Sequence, residues 1–331
     1  METNRKLREG IFMEKKLCTS VLETIGNTPL VALDRLTAHY GCSGRILAKL
    51  EFFNPGLSKK DRVALFMIRE SEESGLLQPG QTVVELTSGN TGTGLAIVCA
   101  LTGHPFVAVM SKGNSVERMR MMQALGAEVV LVKQAPGSVE GKISGADLDL
   151  VEEMAQKVTT ERRAFRSNQF VLKGNVHSEE CTGRELWEQS GGLLDAFVDV
   201  AGSGGSFTGC ATALKRDNPG IRCYLAEPQE AAWLGPTPYG SGKHKIQGCG
   251  YSRDLPLLDP ALVHQYVTVS DEEAVQCARD LARIEGILGG FSSGANLAAA
   301  VELLRGPEKG NTLGILVCDS GAKYLSTDLF P

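Results

Sequence analysis

Short runs of apolar and β-branched residues alternate with longer stretches in which apolar positions recur every three or four residues, along almost the whole chain. The short runs predict strands at Arg45–Phe52, Thr82–Leu86, Phe106–Met110, Glu128–Val132, Ala196–Ala201, Arg222–Glu227 and Thr312–Cys318. The longer periodic stretches predict helices over Val63–Ser74, Thr91–Leu101, Val116–Leu125, Leu148–Lys157, Phe207–Lys215, Asp271–Ile284 and Ala295–Leu304. Strands that alternate with helices imply mostly parallel sheets joined by right-handed crossovers, an α/β fold. We expect residues 52–166 to build one sheet and most of the remainder a second, with the site between them. The Gly-, Ser- and Pro-rich stretch Gly235–Gly250 is the longest irregular segment, and is expected to be a mobile loop.

Two lysines stand side by side where one helix should begin, in Asn54-Pro-Gly-Leu-Ser-Lys-Lys-Asp-Arg-Val-Ala64. A cation there meets the positive end of the helix dipole. Ser58-Lys59-Lys60-Asp61 fits a capping box with Ser58 as N-cap and Asp61 at the third helical position, and Gly75 supplies a C-terminal stop. From Lys60 the helical walk reaches Val63, Ala64, Met67 and Ile68, all apolar; from Lys59 it meets Arg62, Phe66 and Glu70 as well, a mixed face. The register therefore turns Lys60 inward, where burial and the dipole favour its neutral amine, and leaves Lys59 as a surface charge. A neutral inward lysine suits a Schiff base with a carbonyl cofactor.

Two further turns offer anion sites. Thr87-Ser88-Gly89-Asn90-Thr91-Gly92 follows a predicted strand and opens a helix, presenting hydroxyls and free N–H groups fit for a carboxylate. Gly202-Ser203-Gly204-Gly205-Ser206 does the same after Ala196–Ala201, with three glycines and two serines arranged as a phosphate requires. It is neither a dinucleotide fingerprint nor a P-loop, since Phe207 stands where the third glycine of the fingerprint would fall. Gly289-Gly-Phe-Ser-Ser-Gly-Ala295 leads into the last long helix, with serines at 292 and 293.

Composition narrows the picture. The 331 residues are 42% hydrophobic and carry a net charge of −5, from 34 basic and 39 acidic side chains, with no basic run that would suit nucleic acid. No apolar run is long enough to span a bilayer, and the acidic residues of the first 17 positions argue against a signal peptide. The nine cysteines form no CxxC pair and no cluster with histidine at ligand spacing, so no metal site is expected and most should be buried thiols of a reduced, cytoplasmic protein.

Taken together and in this order, these stretches resemble the cysteine synthase/cystathionine β-synthase family of pyridoxal 5'-phosphate enzymes. The likeness runs from Ile25-Gly-Asn-Thr-Pro-Leu30 to Lys323-Tyr-Leu-Ser-Thr327 and includes Lys49-Leu-Glu51, Gln169-Phe170, Thr182-Gly-Arg-Glu-Leu-Trp187 and Lys245-Ile-Gln-Gly248. It implies fold type II (tryptophan synthase β-like), two three-layer α/β/α domains. Residues 52–166 would form a smaller mobile substrate-binding domain. Residues 18–51 with 167–331 would form a larger domain binding the cofactor phosphate, after an N-terminal tail at 1–17. By the resemblance Lys60 holds the cofactor, Asn90 meets its ring oxygen, Gly202, Ser203, Gly204, Gly205 and Ser206 cup its phosphate, and Ser292 faces its pyridine nitrogen. Thr87, Ser88, Gly89, Thr91 and Gln169 grip the substrate carboxylate.

The implied reaction is β-replacement on serine or an activated serine through an enzyme-bound aminoacrylate, most simply O-acetyl-L-serine with sulfide giving L-cysteine and acetate. Gly250, Tyr251 and Ser252 lie in Gly248-Cys-Gly-Tyr-Ser-Arg-Asp254, which departs from the cysteine synthase pattern toward the cystathionine synthase one. Gly137–Asp147 is likewise unlike the usual loop. Cystathionine formation and sulfide release from cysteine therefore stay open beside cysteine synthesis, as does a weakly active regulatory homologue. The family further implies a homodimer, small amino-acid and thiol or sulfide substrates, a serine acetyltransferase partner, and neither nucleic acid nor membrane.

Overall fold

A computed structural model describes residues 17–87, 89–138, 145–236 and 238–331 of the chain. The strands are β1 (Leu30–Ala32), β2 (Arg45–Leu50), β3 (Val83–Leu86), β4 (Phe106–Ser111), β5 (Glu128–Val132), β6 (Phe165–Arg166), β7 (Ala196–Val200), β8 (Arg222–Pro228), β9 (Gln265–Val269) and β10 (Thr312–Val317). The helices are α1 (Asp34–His39), α2 (Lys60–Glu73), α3 (Asn90–Thr102), α4 (Val116–Ala124), α5 (Gly145–Arg162), α6 (Gly174–Gln189), α7 (Gly205–Asp217), α8 (Asp271–Glu285) and α9 (Phe291–Arg305).

The strands form two sheets, of order β1-β2-β10-β7-β8-β9 and β5-β4-β3-β6. All neighbours pair in parallel except β1 with β2. Helices cover the sheets, giving two α/β/α domains. Strands β3, β4 and β7 are buried along their whole length, which is why they read as continuous apolar runs and not as alternations. Two carboxylates interrupt these runs, Glu85 in β3 and Asp199 in β7, Ala196-Phe-Val-Asp-Val200, and both are wholly buried.

Every strand predicted from the sequence forms, with ends shifted by one or two residues; residues 51–53 after β2 turn into a short 3-10 helix. Each predicted helix forms too. Strands β1, β6 and β9 and helices α1 and α6 are additions. Helix α6 was hidden because its buried positions include Asn175, Ser178, Glu179 and Thr182, which leave no apolar period to read.

The sheet order places the site. Strands β2, β10 and β7 are neighbours and parallel, so the segments leaving their C-terminal ends emerge together. The segment after β2 is zipped to the segment after β10: Ser58 pairs with Asp319 as an antiparallel bridge, Lys59 N donates to Cys318 O at 2.9 Å, and Ser320 N donates to Leu57 O at 3.1 Å. On the other side, α3 lies tight against α2, because a Cβ on Gly94 would come within 2.8 Å of Lys60 O.

Candidate active site

The capping box expected at Ser58 does not form. Helix α2 starts at Lys60 with Lys59 as its N-cap residue and no side-chain cap. Asp61 instead turns back to accept from Gly56 N, while Ser58 Oγ accepts from Lys60 N at 3.3 Å. The apolar stripe below Lys60 is as expected, with Val63, Ala64, Met67 and Ile68 all buried, and the helix stops at Gly75 in the left-handed region.

Lys59 is not the surface charge that helical register suggested. Only 7% of the residue is exposed, and its amine lies 3.2 Å from Asp199 Oδ2 and 2.8 Å from Ser206 Oγ. Lys59 has helical backbone angles (φ −56°, ψ −20°), but its side chain is held by the buried Asp199 carboxylate and Ser206, partners that no local register reveals. Burial pushes the Lys59 pKa down, but the Asp199 carboxylate outweighs this and keeps the amine charged, well above the ordinary lysine value. Lys60 is driven the other way, to about 8, by burial first and the neighbouring Lys59 charge second.

Both lysines line one small cavity, together with Asn90, Thr91, Gln169, Gly202, Ser203, Ser206, Tyr251 and Ser292. The structure thus brings together residues from six separate stretches of sequence. Its walls divide by chemistry. One part of the lining is the turn into α7. Gly204 takes φ +84°, which glycine accepts freely, and, as at any helix start, the first-turn N–H groups of α7 have no carbonyl four residues back to receive them. Lys60, Asn90 and Ser292 share the lining with this turn.

The turn after β3 is tied down by Thr87, whose Oγ1 accepts from Gly89 N and Gly92 N, each at 2.9 Å. Thr91 Oγ1 donates to Gln169 Oε1 at 2.6 Å, so these two expected carboxylate contacts are already neighbours. Ser88 lies outside the described residues.

A second, larger cavity of about 710 Å³ opens beyond the first, lined by Thr87, Asn114, Leu148, Gln247, Gly250, Tyr251 and Ser252 among others. Gln247 and Tyr251 line both cavities. The Tyr251 ring meets Phe170 edge-on at 5.5 Å, and Ser252 is held at φ +49°. From Gly137–Asp147, residues 139–144 lie outside the described residues, as does most of the tail at 1–17.

Several functional neighbours escaped the sequence reading. Asp199 was one; a lone carboxylate inside an apolar strand was the signal, because it demands a buried partner. Asp319 and Lys323 hydrogen-bond Asn90, Tyr324 donates to Asp319, and Arg118 is buried with its guanidinium 4.6 Å over the Tyr324 ring and 3.9 Å from Asp319. Glu179 is wholly buried nearby, its carboxyl pushed up to about 7 by burial against the opposing Lys59 charge.

Cys99, Cys210, Cys223, Cys249, Cys277 and Cys318 are buried thiols, as the apolar context of the cysteines predicted. Among the described residues, no helix is long and apolar enough to cross a membrane and no group of three acidic, histidine or cysteine side chains is placed to hold a metal.

Comparison with known proteins adds to this geometry. A family model described as "Pyridoxal-phosphate dependent enzyme" matches residues 21–319. Cysteine synthase 3 of Caenorhabditis elegans is 39% identical over 311 residues, 93% of this chain and 88% of that protein. The O-ureido-L-serine synthase of Streptomyces lavendulae is 37% identical over 316 residues, 95% of this chain and 93% of the relative. The crystal structure of O-acetyl serine sulfhydrylase isoform 3 from Entamoeba histolytica superposes with a TM-score of 0.87 at 34% identity, covering 96% of this chain and 93% of that one.

Proposed function

The chain belongs to the pyridoxal-phosphate dependent enzyme family, and from that premise we propose that it is a cysteine synthase, replacing the acetate of O-acetyl-L-serine by sulfide. The observation that carries this reading is the shared cavity: Lys60, at the first position of α2, faces the same space as Asn90, the Gly202–Ser206 turn and Ser292.

The donor set fits the cofactor. Buried N–H groups at the start of α7, with the Ser203 and Ser206 hydroxyls, suit its phosphate. Lys60 supplies the amine for its aldehyde, Asn90 an amide for its ring oxygen and Ser292 a hydroxyl for its ring nitrogen. When bound, the cofactor supplies an electron sink for the α-carbon of the substrate. The protein does the rest. Thr87, Thr91 and Gln169, with Ser88 and Gly89, hold the substrate carboxylate at the start of α3. The Lys60 amine, neutral above about pH 8, takes the α-proton and returns it after the new bond forms. The β-carbon loses its bond to the acetate oxygen and gains one to sulfur, so acetate and cysteine are the balanced products. Ser292 carries no charge and cannot fix a proton on the ring nitrogen, which favours loss and replacement at the β-carbon over transamination. Closure of the 52–166 unit over the bound carboxylate would exclude water.

A second reading is favoured by the outer cavity. Its 710 Å³ is far more than a hydrosulfide, a single heavy atom, requires, and Tyr251 and Ser252 stand on its wall. A larger thiol or another small nucleophile would fit there, as cystathionine formation demands. Sulfide release from cysteine would use the same inner site. The family resemblance also carries a cytoplasmic homodimer and a serine acetyltransferase partner into this reading.

The test is product identification by mass spectrometry on purified protein with pyridoxal phosphate. O-acetyl-L-serine and sulfide should give L-cysteine. Cystathionine from serine and homocysteine alone, or sulfide from cysteine alone, would replace the first reading by the second. No product from any serine derivative would point to a regulatory homologue.

A further inference from the structure

The mechanism above leaves Lys59 without a task. Yet its side chain lines the cofactor cavity beside Lys60, Gly202, Ser203 and Ser206. Asp199 holds it there with both carboxylate oxygens, at 3.3 and 3.2 Å, and is itself fixed by Asn296 Nδ2 at 3.0 Å and by the Ser206 hydroxyl at 2.5 Å. A shared bond to Asp199 and one to Ser206 occupy two of the three N–H groups of an ammonium. The third is free to serve a ligand in the cavity.

We propose that Lys59 is a cationic arm of the phosphate site, held by Asp199 so that its ammonium hydrogen-bonds the cofactor phosphate alongside the Gly202–Ser206 turn. The inference rests on reading that turn as the phosphate cup. Two physical arguments support it. A buried carboxylate this close to the cup would by itself repel a phosphate dianion, and Lys59 offsets it while adding a donor of its own. Asp199 in turn keeps Lys59 protonated, and an ammonium cannot attack an aldehyde. Two adjacent lysines in one cavity are thereby given separate work: the charged one grips phosphate, and Lys60, whose amine burial and Lys59 push toward neutrality, is left as the nucleophile.

The experiment compares the affinity of the apo form of the full chain for pyridoxal phosphate with that for pyridoxal, which lacks the phosphate. The ratio reads the phosphate grip alone. Lys59→Met should lower it by roughly 10- to 100-fold, the worth of one charge-assisted hydrogen bond, while pyridoxal still reacts at Lys60. The phosphorus-31 resonance of the bound phosphate should shift as well. The double variant Lys59→Met/Asp199→Asn buries no unpaired carboxylate, and carries the same comparison should the single variant not fold; its ratio should stay low. A parent-like ratio in either variant overturns the inference, because Lys59 would then merely neutralise Asp199. Ser203→Asp separates this from failure of the cup reading. If that variant leaves the ratio unchanged, both readings fall; if it lowers the ratio while the Lys59 variants keep it, only the Lys59 inference falls.

Discussion

The side-chain amide of Asn90 donates to Asp319 Oδ2 across 2.7 Å, and its oxygen accepts from Lys323 Nζ at 2.8 Å. The first residue of α3 is therefore clamped at both ends by the segment that follows β10. Each clamp is itself supported: the Tyr324 hydroxyl donates to Asp319 Oδ2 at 2.7 Å, and Lys323 donates to Gly56 O at 2.7 Å. The amide plane that would meet the cofactor is thus set from the neighbouring sheet, not by α3.

Tyr324→Phe removes one donor from the wholly buried Asp319 carboxylate. We predict a loss of about 1.5–3 kcal/mol in chemical denaturation, the range for a hydrogen bond to a charged group. A variant as stable as the parent would show that Arg118 and Asn90 suffice for Asp319.

Lys60 governs a pH dependence. Its amine is held at about 8, against an ordinary lysine value of 10.5, so formation of its imine with pyridoxal phosphate should rise through a midpoint near pH 8. Stopped-flow absorbance near about 410 nm, the band expected of the bound cofactor, reads this directly. Lys323 is also pushed down to about 8, so Lys60→Met is the necessary control and should give no band at any pH. The sign for stability follows. Between pH 8 and 10.5 the unfolded chain binds more protons at this site, so the contribution of Lys60 to apoprotein stability improves as pH rises through that window.

Glu185 gives a dependence of the same sign in the acid range. Burial pushes its carboxyl up, but the Arg62 guanidinium at 2.6 and 2.7 Å, together with Lys49 at 2.7 Å, holds it down at about 2. The stability it contributes is present above pH 4.5 and lost as pH falls toward 2. Urea midpoints measured down this range should fall more steeply for the parent than for Glu185→Gln. Parallel curves would mean that other carboxylates dominate acid unfolding.

Tyr251 and Ser252 line the outer cavity, and the second also sits at a positive φ that glycine adopts without strain. Exchanging them for Ala and Gly should change the ratio of kcat/KM for sulfide to that for homocysteine. Equal ratios in parent and variant would remove this wall from any account of specificity.

How much was legible in the sequence varies by residue. The turns that hold Asn90, Ser203 and Ser206 stood out because each follows a strand and opens a helix, where free N–H groups are a local property, whereas Ser292 was given a role only by the family resemblance. Lys60 was found because it lies on α2, where the spacing to Val63, Ala64, Met67 and Ile68 fixes its side. Residues that work through partners distant in sequence could not be read this way. Lys59 was misplaced because its partners Asp199 and Ser206 lie far off in sequence, and Asp319 and Lys323 offered no period at all.

The sequence by itself determined the alternating α/β rhythm, the stretches that carry the chemistry and the inward turn of Lys60, since these depend on periodicity and helix ends. Tertiary structure alone decided that Lys59 is buried against Asp199, that Asp319 and Lys323 clamp Asn90, and that the lysines share one cavity with the Gly202–Ser206 turn. The physical reason is the parallel order β2-β10-β7, which brings three chain segments far apart in sequence to one edge of a sheet. There a backbone hydrogen bond ties Lys59 to Cys318, 259 positions further along, and the Lys59 side chain meets Asp199 and Ser206.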